Sequence, residues 1–235
     1  MRLDRFLAEC GIGTRTEVKK IIRSGAVAIN GIPATKADIH LNVETDTVTL
    51  SGNEVVYRQF IYLMLNKPQG YISATRDGKT PTVMELIPDE YMHFEPFPVG
   101  RLDIDTEGFL LLSNDGDLAH RLLAPKKHIP KTYVAQIEKP ITDADIKQFT
   151  AGVILDDGYK TMPATLKRIS SQSPYFAEIV INEGKFHQVK RMFEAIGTKV
   201  TYLKRISMGP LSLGDLQPGE VRVLTEAELE QLKNR

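Results

Sequence analysis

At 235 residues, the chain exceeds what one small domain needs and has room for a modest module beside a domain with a full core. Hydrophobic residues make up 42% and charged residues 26%; no apolar run approaches the length of a membrane span, and the opening Met1-Arg2-Leu3-Asp4-Arg5 lacks the apolar stretch of a signal peptide, so a soluble cytoplasmic protein is expected. A formal net charge of zero argues against a protein that coats nucleic acid indiscriminately, and the single cysteine, Cys10, rules out an intramolecular disulfide or a cysteine-rich zinc site.

The zero average hides a basic opening segment. From Met1 to Lys36 there are seven Lys or Arg residues against three acids. Leu3, Phe6, Leu7 and Cys10 fall at i, i+3, i+4 and i+7 and predict a short amphipathic helix ended by Gly11. Thr14 and Glu17 form a capping box opening a second helix with a Val18, Ile21, Ile22 stripe. Arg15, Lys19 and Arg23 stack along its other side with Lys20 beside them, a row that is either a solvated face or a track for phosphates. The apolar stretch Ala26 to Ile29 and the Asn30-Gly31 turn signal predict a hairpin.

Ser51-Gly52-Asn53-Glu54 breaks the strand pattern, which sets expected boundaries at a first domain over 1–52, a linker over 53–59 and a second domain over 60–235. The second core begins with a buried strand at Phe60 to Leu65, stopped by Pro68-Gln69-Gly70. Further strands are expected at Tyr133 to Ile137 and Tyr175 to Ile181. Helices are expected at Thr142 to Phe149, through Val189, Met192, Phe193 and Ile196, and after the Thr225/Glu228 cap. The fold class is therefore α+β, with a small N-terminal module followed by a mixed domain.

Several motifs carry no chemistry. Gly78-Lys79-Thr80 mimics the end of a phosphate-binding loop, but Ser73 stands where its first glycine is required, so a turn is expected. Asn114-Asp115-Gly116-Asp117 lacks calcium-loop spacing and is expected to be a reverse turn. The five histidines show no paired spacing for zinc, and no metal is implied. The stretch Gly100-Arg101-Leu102-Asp103-Ile104-Asp105-Thr106 differs: it sets an arginine two residues from a carboxylate on a loop that runs into an apolar strand. On its own, such a carboxylate is either a turn residue or a catalytic one.

This segment resembles the Gly-Arg-Leu-Asp signature of pseudouridine synthases, in the branch named for ribosomal small-subunit pseudouridine synthase A. Leu65-Asn66-Lys67-Pro68-Gln69-Gly70-Tyr71, Lys131-Thr132-Tyr133 and Glu183-Gly184-Lys185-Phe186-His187-Gln188-Val189-Lys190-Arg191-Met192-Phe193 resemble its other motifs, in family order. Residues 1–52 resemble an S4 RNA-binding domain, so the resemblance covers essentially the whole chain.

It implies an S4-like domain followed by a mixed, mainly antiparallel sheet, and isomerisation of a uridine in 16S ribosomal RNA without a cofactor. It further implies Asp103 as the catalytic carboxylate, Lys190 as the cation facing it, with Arg191 as the adjacent candidate, and Tyr133 as the residue stacking on uracil. Arg101 would hold the space left by the extruded base, or its phosphates. Arg15, Lys19, Lys20, Arg23, Lys126 and Lys127 would contact RNA, with Lys199, Lys204 and Arg205 adding charge along its backbone. The partner is 16S rRNA or a small-subunit assembly intermediate, no membrane is involved, and a monomer needs no extra assumption. A synthase acting on 23S rRNA and a non-catalytic assembly factor are the alternatives.

Overall fold

The computed structural model describes residues 1–124 and 127–234. The chain divides into two compact units, Met1–Ile61 with Pro88–Pro96, and Tyr62–Ile87 with Phe97–Arg235.

In the first unit, helix α1 (Leu3–Glu9) buries Leu3, Phe6 and Leu7, and helix α2 (Arg15–Arg23) buries Val18 and Ile22. The Thr14 hydroxyl accepts from Glu17 N and the Glu17 carboxylate accepts from Thr14 N, so two backbone donors at the start of α2 are satisfied reciprocally. Strands β1 (Val27–Ile29), β2 (Ile32–Pro33), β3 (Val48–Leu50) and β4 (Asn53–Glu54) form an antiparallel sheet in the order β2-β1-β3-β4. Asn30 and Gly31, with φ of 51° and 80°, make the hairpin turn between β1 and β2.

The expected linker departs from that reading at its start. Ser51 and Gly52, with φ of 50° and 85°, form a second such turn, and Asn53–Glu54 pairs back on β3. Val55 and Tyr57 then pack against the first unit's core, and the Tyr57 hydroxyl donates to Glu9 at 2.8 Å. Residues 88–96, with the short helix α3 (Asp89–Met92), also group with this unit.

The second unit is built on a mixed, mainly antiparallel sheet, as expected. Its elements are β5 (Tyr62–Lys67), β6 (Phe97–Val99), β7 (Thr106–Ser113), α4 (Gly116–Leu123), β8 (Lys131–Ile137), α5 (Asp143–Ala151), β9 (Thr165–Arg168), β10 (Tyr175–Ile181), α6 (Gln188–Ala195), β11 (Val200–Met208), β12 (Leu211–Ser212), β13 (Val221–Val223) and α7 (Glu226–Lys233). The strand order is β13-β5-β7-β11-β8-β10-β9, with β6 on β7 and β12 on β11. Among the described strands of this sheet, only β7 and β11 pair in parallel. Gly108 lies opposite Arg205 in that pair, with φ of 105°, and a Cβ there would sit 2.1 Å from the Arg205 carbonyl oxygen, so only glycine lets the two strands meet.

The turn expected at 114–117 is instead the cap of α4. Asp115 accepts from Leu118 N at 2.9 Å and from the Tyr62 hydroxyl at 2.7 Å, while Leu118, Ala119 and Leu122 face the core. Asp-Gly suits both a turn and a helix start, and the apolar stripe that follows settles which forms. At Gly78–Thr80 the expected turn is present, with the amides of Lys79 and Thr80 bound by Asp77. No helix among the described residues is long and apolar enough to cross a membrane.

Candidate active site

The connection entering β7 carries Asp103, and it is anchored from the end of β5. There the strand's unbroken burial carries Lys67 inside, where its side chain is fully buried. Lys67 Nζ donates to the carbonyl oxygens of Asp103 (3.0 Å), Ile104 (3.3 Å), Thr106 (2.8 Å) and Pro68 (3.1 Å). One ammonium therefore organises the loop's backbone. Burial pushes Lys67 down to about 8, against the pull of Asp105, Asp103 and Glu107. The Ser73 hydroxyl, which bonds both the N–H and the carbonyl of Leu102 at 3.0 Å, and Gly70 N, donating to Ile104 O, fix the loop's other side.

The Asp103 carboxylate lies between two groups from α6 and the turn before it. Lys190 Nζ is 3.5 Å from Oδ2 and His187 Nε2 is 3.6 Å from Oδ1. Both distances are longer than good hydrogen bonds, so neither group occupies the carboxylate's lone pairs. Lys190 binds Asp105 more closely, at 2.6 Å. Burial would raise the Asp105 carboxyl, but the Lys190 hydrogen bond and charge, with His187 adding, hold it below its ordinary value.

His187 adopts φ of 48°, a left-handed conformation uncommon for a non-glycine residue, just before α6. The turn is held by buried Gln188, whose Oε1 accepts from Lys185 N and whose Nε2 donates to Glu183, each at 2.8 Å. Across the same cleft, Tyr133 on β8 is buried and stands opposite Arg205 of β11 in register. Arg205 Nε donates to Phe109 O at 2.8 Å and Nη1 lies 3.5 Å from the Tyr133 hydroxyl. Its Nη2 has no partner among the described residues. Lys131, half-buried at the start of β8, is pushed by burial, and secondarily by Arg205, down to about 8.

Asp103, Lys190, His187, Tyr133, Arg205, Lys131 and Arg101 all line one cleft of about 440 Å³, within the range that holds a nucleoside-sized ligand. Arg101 is exposed at its rim. Arg191 is not brought there: it points to the opposite side of α6, bound by Asp156 and Asp157. Arg15, Lys19, Lys20 and Arg23 are exposed along α2 in the first unit, and Lys127 is exposed, whereas Lys126 lies outside the described residues.

Arg205, expected to track an RNA backbone, is instead 2% exposed, because the alternation of β11 puts it on the buried face with Leu203. For His187 the signal was its place inside the third motif; for Lys67, its place two residues after the apolar run Phe60 to Leu65. Among the described residues no group of three His, Cys, Asp or Glu side chains is placed to hold a metal ion. A carboxylate beside a lysine, sharing a cleft with a buried tyrosine, suits nucleophilic or base chemistry on a flat ligand.

Comparison with known proteins places this cleft in context. Residues 61–195 match the family model described as RNA pseudouridylate synthase, and residues 1–48 match the S4 domain. The uncharacterized RNA pseudouridine synthase YtzG of Bacillus subtilis is 53% identical over 234 residues, covering 99% of this chain and 98% of its own length. Ribosomal small subunit pseudouridine synthase A of Escherichia coli is 40% identical over 232 residues, covering 97% and 98%. A crystal structure of a pseudouridylate synthase superposes with a TM-score of 0.69 at 35% identity, covering 99% of each chain.

Proposed function

The chain belongs to the RNA pseudouridylate synthase family and carries an S4 domain at its N-terminal end, and from that premise we propose that it converts one uridine of 16S ribosomal RNA to pseudouridine, with Asp103 as the catalytic carboxylate. The observation that carries the proposal is the convergence of Asp103, Lys190 and Tyr133, from three distant segments, on one cleft. The small-subunit target is supported by the 40% identity, over nearly the whole chain, to enzymes named for that substrate.

The reaction breaks the bond between uracil N1 and ribose C1′, turns the base and rejoins it through C5. It rearranges atoms already present, so no redox partner or group donor is needed. The target uridine leaves its stack, at a cost of a few kcal/mol, and enters the cleft. Asp103 either attacks the sugar or base covalently or takes a proton from the sugar; in both routes the Lys190 ammonium stands 3.5 Å from the reacting carboxylate. The Tyr133 ring stacks on the uracil, and its hydroxyl, beside Arg205, relays the C5 proton after the new bond forms, accepting that proton as it gives its own to water. Arg101 at the rim fills the vacated stack. The exposed basic face of α2 and Lys127 hold RNA phosphates. Arg191, neutralised by two aspartates, has no part in this reading. The enzyme works in the cytoplasm as a monomer, on 16S rRNA or an assembly intermediate.

The test incubates the protein with 16S rRNA, 23S rRNA and partly assembled small subunits, and maps pseudouridine by carbodiimide labelling and primer extension. One new site in small-subunit RNA is expected. Conversion only in 23S rRNA would move the substrate, and none in any RNA would overturn the activity.

A further inference from the structure

Phe186 is 76% exposed, more than any other large apolar side chain among the described residues. It hangs from the turn that Gln188 pins through Lys185 N and Glu183, so the backbone that carries it is held. One face of the ring lies on the His187 imidazole, with centroids 3.8 Å apart and planes 18° from parallel. His187 in turn reaches Asp103 at 3.6 Å. A stack of two rings thus begins at the reacting carboxylate and ends with a bare aromatic face at the mouth of the cleft.

A ring so exposed contributes little to the fold, since hydrophobic stabilisation follows the area removed from water. The surroundings indicate what would cover it. The cleft lining carries Arg101, Lys131, Lys185 and Lys190 against the carboxylate of Asp103. Fixed aromatic faces beside a cationic groove are how single-stranded nucleic acid is held: phosphates follow the charge and bases stack on the rings, with little regard to sequence.

We propose that the outer face of Phe186 is a nucleobase-stacking subsite for a nucleotide adjoining the target uridine, which keeps the strand open while the target occupies the cleft. This rests on reading the cleft as the place of uridine isomerisation. Extruding one base breaks two stacking contacts in the RNA, and Phe186 replaces one of them at the cleft mouth. The subsite therefore acts on RNA affinity and on KM, with little effect on the chemical step.

The experiment compares wild type with Phe186→Ala and Phe186→Tyr. Binding is measured to oligouridylate and to a short 16S rRNA fragment around the converted uridine, the latter also with an abasic nucleotide at each flanking position in turn. Because base-aromatic stacking is worth about 1–3 kcal/mol, the alanine variant should bind about 5- to 150-fold more weakly, with kcat near wild type. The tyrosine variant should restore binding. On the RNA that lacks the stacked base, wild type and Phe186→Ala should bind alike. Equal affinity of wild type and Phe186→Ala for both oligouridylate and the intact fragment, or the same loss on every abasic RNA, would overturn the subsite. Failure of the activity itself shows separately, as absence of pseudouridine in the wild-type reaction while the oligouridylate comparison still reads the stacking.

Discussion

Replacing Lys67 with methionine keeps an unbranched chain one atom shorter and removes the ammonium around which the Asp103 loop is built. That ammonium lies 2.8–3.3 Å from four carbonyl oxygens, those of Pro68, Asp103, Ile104 and Thr106, in a fully buried position. Its three N–H groups leave with it; Ile104 O and Asp103 O keep the amides of Gly70 and Thr106 as donors, whereas a buried carbonyl left with none costs about 1–3 kcal/mol. Against this, the variant no longer buries a charge, a penalty evident in the fall of Lys67 to about 8. The net loss is about 2–4 kcal/mol, or a melting temperature lower by roughly 4–16 °C for a chain of this size. Thermal and denaturant unfolding measure it directly. The amides of Gly70 and Thr106, which bond to Ile104 O and Asp103 O, should exchange hydrogen faster. Displacing the carboxylate by even about 1 Å should lower kcat about 100-fold. A Lys67→Met protein that melts with the wild type and keeps its rate would show that the carbonyls do not need the ammonium and would refute the reasoning.

Gly108→Ala drives a Cβ to 2.1 Å from the Arg205 carbonyl at a φ of 105°, so it should cost at least about 3 kcal/mol and impair conversion by opening the β7–β11 pair; an alanine variant of wild-type stability would contradict the register. Glu228 is paired by both carboxylate oxygens to Arg222 (2.6 and 2.7 Å), and this, with the Thr225 amide, holds it down at about 2. Because its folded pKa lies below the unfolded one, its contribution is complete above roughly pH 5 and is lost as pH falls toward 2. The stability gap between wild type and Glu228→Gln should therefore close over that window in denaturant titrations, and a gap independent of pH would rule the pairing out.

What the sequence made legible was local. The capping boxes at Thr14 and Thr225, the Asn30-Gly31 turn and the alternation of β10 depend on neighbours a few residues away, and each appears in the structure. Asp115-Gly116 and Ser51-Gly52 are ambiguous in sequence because the same residue types suit a turn, a helix cap and a hairpin tip. The insertion of β11 between β7 and β8 had no local signature, and that insertion turns Arg205 from a surface charge into the neighbour of Tyr133. Lys67 is similar, since its four acceptors come mostly from a loop far along the chain. Asp103, Tyr133 and Lys190 were singled out by motif resemblance; spacing alone could not say that a loop, a strand and a helix would line one cleft.

The most direct test of the central claim is single-turnover pseudouridine formation by wild type and Asp103→Asn on the RNA that the wild type modifies, with RNA affinity and melting measured alongside. The account predicts that the asparagine variant folds, binds RNA as the wild type does and forms no pseudouridine. Pseudouridine formed by Asp103→Asn at the wild-type rate would contradict it.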